Sequence, residues 1–171
     1  MSASEAPRTE RRWRTASPEE TRELGRALAA ELAPAGVLLL SGELAAGKTV
    51  LAQGIAEGLG IDPAEVTSPT FTLVREHRGT GGSLLHLDLY RLDPAAAGGI
   101  GLEELLGAAA VKVVEWAERL PFAVPGALAL RLERRGEDAR ELTEVPAAAV
   151  VHSAAGGPGA AAGPRGGARG K

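Results

Sequence analysis

Residues 42–49 read Gly-Glu-Leu-Ala-Ala-Gly-Lys-Thr, which matches the phosphate-binding P-loop pattern G-x-x-x-x-G-K-[ST]. Each part of this pattern has a chemical task. The glycines let backbone N–H groups turn toward phosphates, Lys48 reaches the β- and γ-phosphates, and the Thr49 hydroxyl is a ligand for Mg²⁺. The stretch therefore predicts a nucleoside triphosphate site.

Two carboxylates stand at the ends of apolar runs downstream of this loop. Asp88 follows the run 84–87, and Glu115 follows the run 111–114. P-loop chemistry needs acids that hold Mg²⁺ and orient the nucleophile, and ligands bind at the carboxyl ends of strands in open α/β sheets. Either acid is placed to hold Mg²⁺ through water while Thr49 binds it directly. The alternative for each is a surface carboxylate at a strand end.

Two further candidates have weaker support from the residues alone. Ser68-Pro69-Thr70 follows the P-loop helix, where many P-loop nucleotidases carry a mobile loop whose hydroxyl touches Mg²⁺ or the γ-phosphate. Thr70 is the preferred hydroxyl there, and a turn or cap is the alternative. Trp116 directly follows Glu115, and a core or edge position is commoner for such a residue than a base-stacking platform.

The elements around the loop suit this chemistry. The apolar run 36–41 before the loop predicts a buried parallel strand. After the loop, Leu51, Ile55 and Leu59 recur every four residues, as on one face of a helix. A helix that starts at the loop directs the partial positive charge of its N-terminus at the phosphates.

The rest of the chain predicts one α/β domain. The fold class is P-loop NTPase-like, with a mixed, mainly parallel sheet flanked by helices and a C-terminal antiparallel hairpin. Its predicted limits are residues 12–146. Residues 1–11 are polar, residues 147–171 form a basic tail rich in Ala, Gly and Pro, and both are expected to be disordered.

Composition excludes several classes of protein. The 171 residues carry a net charge of −3, contain no Cys and include three scattered His, which argues against general polyanion binding, disulfides and a zinc site. No apolar run approaches the roughly 18 residues of a membrane span, and the N-terminus lacks the apolar segment of a signal peptide. A soluble cytoplasmic protein is the expectation.

Several blocks of the chain, taken in order, resemble the TsaE (YjeE) family over about residues 13–145. The set Ser-Pro-Thr-Phe, Leu-Asp-Leu-Tyr-Arg and Glu-Trp is specific to that family, whereas many families share the P-loop. The blocks are Thr21 with Leu24, 42–49, 68–74, 86–92, 101–106 and 114–116.

This resemblance implies a small ATPase that serves the bacterial synthesis of threonylcarbamoyladenosine in tRNA. The implied partners are the transferase subunit (TsaD) and its non-catalytic paralogue (TsaB), with tRNA contacted indirectly through the complex and no membrane involved. ATP binding and hydrolysis would reset that complex between turnovers, and hydrolysis by the isolated subunit would be weak.

The resemblance also assigns residues to ATP and Mg²⁺. Asp88, Glu115 and Lys48 would be catalytic, with Asp88 near the γ-phosphate, and Thr49 and Glu115 would serve the metal. The implied nucleotide-binding residues are Glu43, Leu44, Ala45, Ala46, Gly47, Lys48, Thr49, Val50, Thr70 and Trp116.

The chain departs from the family pattern at four positions. Glu43, Ala45 and Val50 replace Asp, Gly and Thr in the P-loop, and His77 stands where Tyr is commoner. Ala45 matters most, because a Cβ costs of order 1 kcal/mol wherever the backbone needs a positive φ. Weakened but retained nucleotide binding is the expectation.

Two other functions stay open at this level. A small-molecule kinase shares the P-loop but needs a lid, for which only Arg131, Arg134, Arg135 and Arg140 are available. A nucleotide-gated binding protein with negligible turnover is suggested by Ala45. A GTPase is disfavoured, since a chain without Asn cannot form the Asn-Lys-x-Asp guanine-recognition motif.

Overall fold

A computed structural model describes residues 10–68, 72–93 and 100–152 as one mixed sheet with helices on both faces. The strand order across the sheet is β1-β7-β6-β2-β5-β4-β3. The strands are β1 Arg12–Thr15, β2 Val37–Ser41, β3 Val74–Gly79, β4 Gly82–Asp88, β5 Val111–Glu115, β6 Leu128–Arg134 and β7 Arg140–Val145. The helices are α1 Pro18–Leu32, α2 Lys48–Gly58, α3 Leu102–Leu106 and α4 Ala147–His152.

Four parallel strands, in the order β6, β2, β5 and β4, form the centre of the sheet. Strand β3 pairs antiparallel with β4 at one side, and β6, β7 and β1 pair antiparallel at the other. The predicted fold class, with its C-terminal hairpin, is confirmed. Because parallel strands end at the same edge, the P-loop after β2, Asp88 after β4 and Glu115 after β5 lie together there.

The alternation of side chains along β2 explains the two helical layers. Leu38 and Leu40 pack with α1 and α2 on one face, whereas Leu39 points to the face that carries α3 and α4. The two helices of the first layer approach closely at Gly54, where an added Cβ would lie 2.1 Å from the Arg22 carbonyl oxygen. Tight packing of α1 against α2 holds the start of α2 in place beneath the P-loop.

The N-terminus of α1 is capped by side chains. Ser17 Oγ accepts the Glu20 N–H at 3.2 Å, and the Glu20 carboxylate accepts the Ala16 N–H at 2.6 Å. The second bond reaches one residue further back than in the usual capping box.

Strand β4 ends at Asp88, because the Asp88 carboxylate accepts the Tyr90 N–H at 2.9 Å and turns the chain. The predicted end of the domain differs from the structure. The folded region extends past residue 146, since α4 buries Val150 to 2% exposure against the 3₁₀ turn Ala117–Arg119. The remainder of the tail, residues 153–171, and residues 1–9 lie outside the described residues.

Candidate nucleotide-binding site

The P-loop connects β2 to α2 with three residues at positive φ. Gly42, Ala45 and Gly47 have φ values of +145°, +60° and +100°. Two constraints require glycine at position 42. Its φ is positive, and an added Cβ would lie 2.5 Å from the Leu132 carbonyl oxygen on β6. Ala45 is the exception, since its Cβ is carried in the left-handed region that disfavours every side chain.

Lys48, the first residue of α2, points back into the loop and is 5% exposed. Its ammonium donates to the carbonyl oxygens of Gly42 at 2.6 Å and Glu43 at 2.9 Å. Burial lowers the pKa of Lys48 from its usual value, against an opposing attraction from nearby carboxylates that include Glu118. Phosphate oxygens are stronger partners for an ammonium than carbonyls, so the group is suited to an entering triphosphate.

Thr49 and Glu115 come together from distant parts of the sequence. The Thr49 hydroxyl donates to Glu115 Oε1 at 3.0 Å, and Glu115 is 3% exposed. Asp88 pairs with Glu115 across β4 and β5, which places both acids at the same level of the sheet. Hydroxyl and carboxylate oxygens are the donors that Mg²⁺ prefers.

The donor set at this point fits Mg²⁺ bound together with a nucleotide. Over 10–68, 72–93 and 100–152, no three His, Cys, Asp or Glu side chains cluster as metal ligands. The Thr49 hydroxyl and the Glu115 carboxylate suit Mg²⁺, which usually takes one or two protein ligands and completes its shell with phosphate and water oxygens.

The Asp88 carboxylate is engaged on both oxygens. Oδ1 accepts the Tyr90 N–H and Oδ2 accepts the Ser68 hydroxyl, both at 2.9 Å. The segment after α2 therefore contacts the predicted catalytic acid directly. Thr70, the hydroxyl that the sequence favoured, lies outside the described residues.

Trp116 forms part of the same site. It is held at φ +57°, in the left-handed region, and its ring centroid lies 3.9 Å from Lys48 Nζ. The Tyr90 ring packs beside it with centroids 4.8 Å apart. An aromatic wall therefore borders the P-loop lysine, a cation–π arrangement that holds the ammonium near the loop.

The P-loop, the two strand-end acids and Trp116 line a common cavity of about 390 Å³. Glu43 borders a neighbouring cavity instead and contributes its carbonyl oxygen to Lys48. The predicted site residues that line the 390 Å³ cavity are Leu44, Ala45, Ala46, Gly47, Lys48, Thr49, Val50, Asp88, Glu115 and Trp116.

Three lining residues (Ser68, Tyr90 and Arg140) and one buried residue (His86) were not among the predicted site residues. Ser68 lines the cavity from the loop after α2, and His86 lies behind Glu115. Arg140 reaches the loop from β7, with Nη2 3.4 Å from the Ala45 carbonyl oxygen and a buried Nε that has no hydrogen-bond partner in the described ranges. Only strand order and register bring Arg140 there, so no local sequence signal marks it.

Comparison with known proteins gives one consistent family. Residues 15–142 match the family model described as threonylcarbamoyl adenosine biosynthesis protein TsaE. A Bacillus subtilis protein named tRNA threonylcarbamoyladenosine biosynthesis protein TsaE is 41% identical over 77% of this chain and 83% of its own length. A Streptomyces coelicolor protein of the same name is 44% identical over 72% and 86%.

A solved structure agrees with these matches. The crystal structure of Bacillus subtilis YdiB superposes with a TM-score of 0.64 and 34% identity, and the match covers 86% of this chain and 95% of that one. These findings confirm the resemblance that the sequence blocks indicated. None of the helices in the described ranges combines the length and apolar character needed to cross a bilayer.

Proposed function

Because the chain belongs to the TsaE family of threonylcarbamoyl adenosine biosynthesis proteins and serves the synthesis of threonylcarbamoyladenosine in tRNA, we propose that it does so as a Mg²⁺-dependent ATPase. One observation carries the proposal. Thr49 and Glu115 meet within 3.0 Å beside a P-loop whose Lys48 is buried and points inward. That combination supplies phosphate contacts and metal ligands at a single point.

The chain's own residues provide most of the expected chemistry. Lys48 exchanges its bonds to the Gly42 and Glu43 carbonyls for bonds to the β- and γ-phosphates. Thr49 and Glu115 hold Mg²⁺, which when bound neutralises charge on the phosphate oxygens. Asp88 orients the attacking water once its bond to Ser68 is exchanged.

The remaining predicted residues have supporting roles in this proposal. Backbone N–H groups from residues 43–50 surround the phosphates, because α2 begins beneath them. Thr70 contributes a hydroxyl near the γ-phosphate, and Trp116 borders the nucleotide. Arg140 adds a second cation at the outer side of the loop, where its guanidinium already contacts the Ala45 carbonyl.

The proposed partners follow from the family. The protein acts with the transferase subunit (TsaD) and its non-catalytic paralogue (TsaB), in the cytoplasm, and reaches tRNA through that complex. ATP binding and hydrolysis reset the complex between turnovers.

The test is an ATPase assay of the full chain, alone and with both partners, with Lys48→Ala as the matched control. We expect slow turnover alone, faster turnover with the partners, and none above background in the control. Turnover that is equal in the control and the unsubstituted protein would refute the proposal.

A nucleotide-gated binding protein is the second candidate, and the φ of +60° at Ala45 favours it. Tight ATP binding with background hydrolysis, even with both partners, would support that function. The kinase alternative loses support at Arg135, one of its four lid candidates, because Arg135 is paired with Glu133 and Glu141 on the hairpin.

A further inference from the structure

Behind the proposed metal ligand lies a histidine that the chemistry above does not use. His86 is on β4 and is fully buried, at 0% exposure. Its Nε2 lies 2.7 Å from Glu115 Oε1, the same oxygen that accepts the Thr49 hydroxyl. Burying a polar ring costs free energy unless the ring is hydrogen-bonded, and Glu115 supplies that bond to Nε2.

The register of the sheet explains why the two side chains meet. His86 is opposite Val113 on the neighbouring parallel strand β5, and Glu115 is two residues further along. Residues two apart point to the same face, so Glu115 lies diagonally across from His86. The geometry comes from backbone pairing and does not depend on a nucleotide.

The hydrogen bonds indicate which nitrogen carries the proton. A carboxylate only accepts, so Nε2 must donate to Glu115 Oε1. His86 Nδ1 is buried and has no hydrogen-bond partner in the described ranges, so a proton there would lack an acceptor. Both observations place a hydrogen on Nε2, directed at Glu115.

We propose that His86 is a positioning residue that fixes the Glu115 carboxylate toward Thr49 before Mg²⁺ and nucleotide arrive. The proposal rests on the proposed function. Hydrogen-bonded residues behind metal ligands typically change metal affinity or activity by about 10–100-fold when removed. Here the Nε2–H bond selects one orientation of the Glu115 carboxylate, and the Thr49 hydroxyl donates to the same oxygen.

The main test is metal binding by the full chain, measured as Mn²⁺ affinity in the presence of ADP by electron paramagnetic resonance. We expect His86→Phe, which keeps a ring but removes the donor, to weaken Mn²⁺ binding about 10–100-fold. His86→Gln, which can donate from a similar position, should recover most of the loss. ADP affinity without metal should stay unchanged in both variants.

His77→Phe is the matched control, because His77 lies on β3 and makes no hydrogen bond to Glu115 in the described ranges. Unchanged Mn²⁺ affinity in His86→Phe would overturn the proposal. Failure of the unsubstituted protein to bind Mn²⁺ and ADP would instead count against the proposed ATPase function, so the two failures are distinguishable.

A second measurement needs no substitution at His86 and therefore does not depend on how a variant folds. Nitrogen-15 NMR of the metal-free protein should show His86 with its hydrogen on Nε2, and Glu115→Gln should shift that resonance. A ring that carries its hydrogen on Nδ1 and none on Nε2 would overturn the proposal.

Discussion

The Ser68 hydroxyl donates to the Asp88 carboxylate, with 2.9 Å between Oγ and Oδ2. The other Asp88 oxygen accepts the Tyr90 N–H, so the acid is engaged on both sides before any nucleotide is bound. This bond ties the loop after α2 to the end of β4. In the proposed mechanism this bond must be exchanged before Asp88 can orient the attacking water.

Asp88→Asn should separate nucleotide binding from hydrolysis. We expect kcat in the presence of the partners to fall about a hundredfold or more, because the amide is a far weaker base than the carboxylate. Ser68→Ala should change kcat by less than about tenfold, since it removes one hydrogen bond worth about 1 kcal/mol that the proposed mechanism exchanges in any case. Equal losses in steady-state assays of the two variants would contradict these roles.

Ala45→Gly should stabilise the protein by about 1 kcal/mol, because it removes a Cβ from a residue at φ +60°. Ala46→Gly is the matched control. Ala46 is adjacent and fully buried, and among the described residues only Ala45 and Trp116 combine a side chain with a positive φ. Removing the Ala46 methyl group should therefore destabilise the protein by about 1 kcal/mol. Urea unfolding of both variants measures the difference, and a loss of stability in Ala45→Gly would contradict the strain.

Nucleotide binding should change the fluorescence of Trp116. Its ring lies 3.9 Å from the Lys48 ammonium, which is expected to move toward phosphates when ATP binds. The chain has one other tryptophan, Trp13, which lies on β1 and packs against Arg11. An ATP titration should keep its signal in Trp13→Phe and lose it in Trp116→Phe, and the reverse pattern would place the nucleotide elsewhere.

Arg140→Ala should weaken ATP binding about 10- to 150-fold, because a hydrogen bond to a charged group contributes about 1.5–3 kcal/mol. Arg134 is the control, since it is exposed at the end of the partner strand β6 and does not line the cavity. Isothermal titration with a non-hydrolysable ATP analogue measures both. A similar loss in Arg134→Ala would indicate a general charge effect.

Glu118→Gln should raise stability at pH 8 more than at pH 4. Burial raises the pKa of Glu118 above its usual value, and its Oε2 is buried without a partner in the described ranges. The folded state therefore loses stability relative to the unfolded state as the pH rises from about 4.5 through the folded pKa.

The uncharged variant avoids that loss, and we expect a gain on the order of 1 kcal/mol at pH 8. Urea unfolding at the two pH values measures it. The exposed Glu137→Gln is the control and should change stability by less than about 0.5 kcal/mol at either pH. A gain in Glu118→Gln that is larger at pH 4 would reverse the sign and contradict the burial argument.

Features that depend on neighbouring residues could be predicted from the sequence. The P-loop is one continuous stretch, its strand and helix follow from local periodicity, and the parallel sheet brings the strand-end acids Asp88 and Glu115 to the same edge. Ala45 stands out in the sequence as the point of expected strain, because the family that the chain resembles usually has glycine there, and the structure gives Ala45 a φ of +60°. The prediction of a disordered tail from residue 147 was wrong at Val150, which α4 buries. An Ala-rich composition does not show that one valine packs against the rest of the fold.

The sequence by itself therefore determined the phosphate-loop pattern and the strand and helix that flank it, because a short run of residues specifies local backbone geometry. The tertiary structure alone decided which distant side chains support that loop. Arg140 reaches it through the pairing of β7 with β6, and His86 reaches Glu115 through the register of β4 on β5. Strand order and register arise from the packing of the whole sheet, and no spacing along the chain records them.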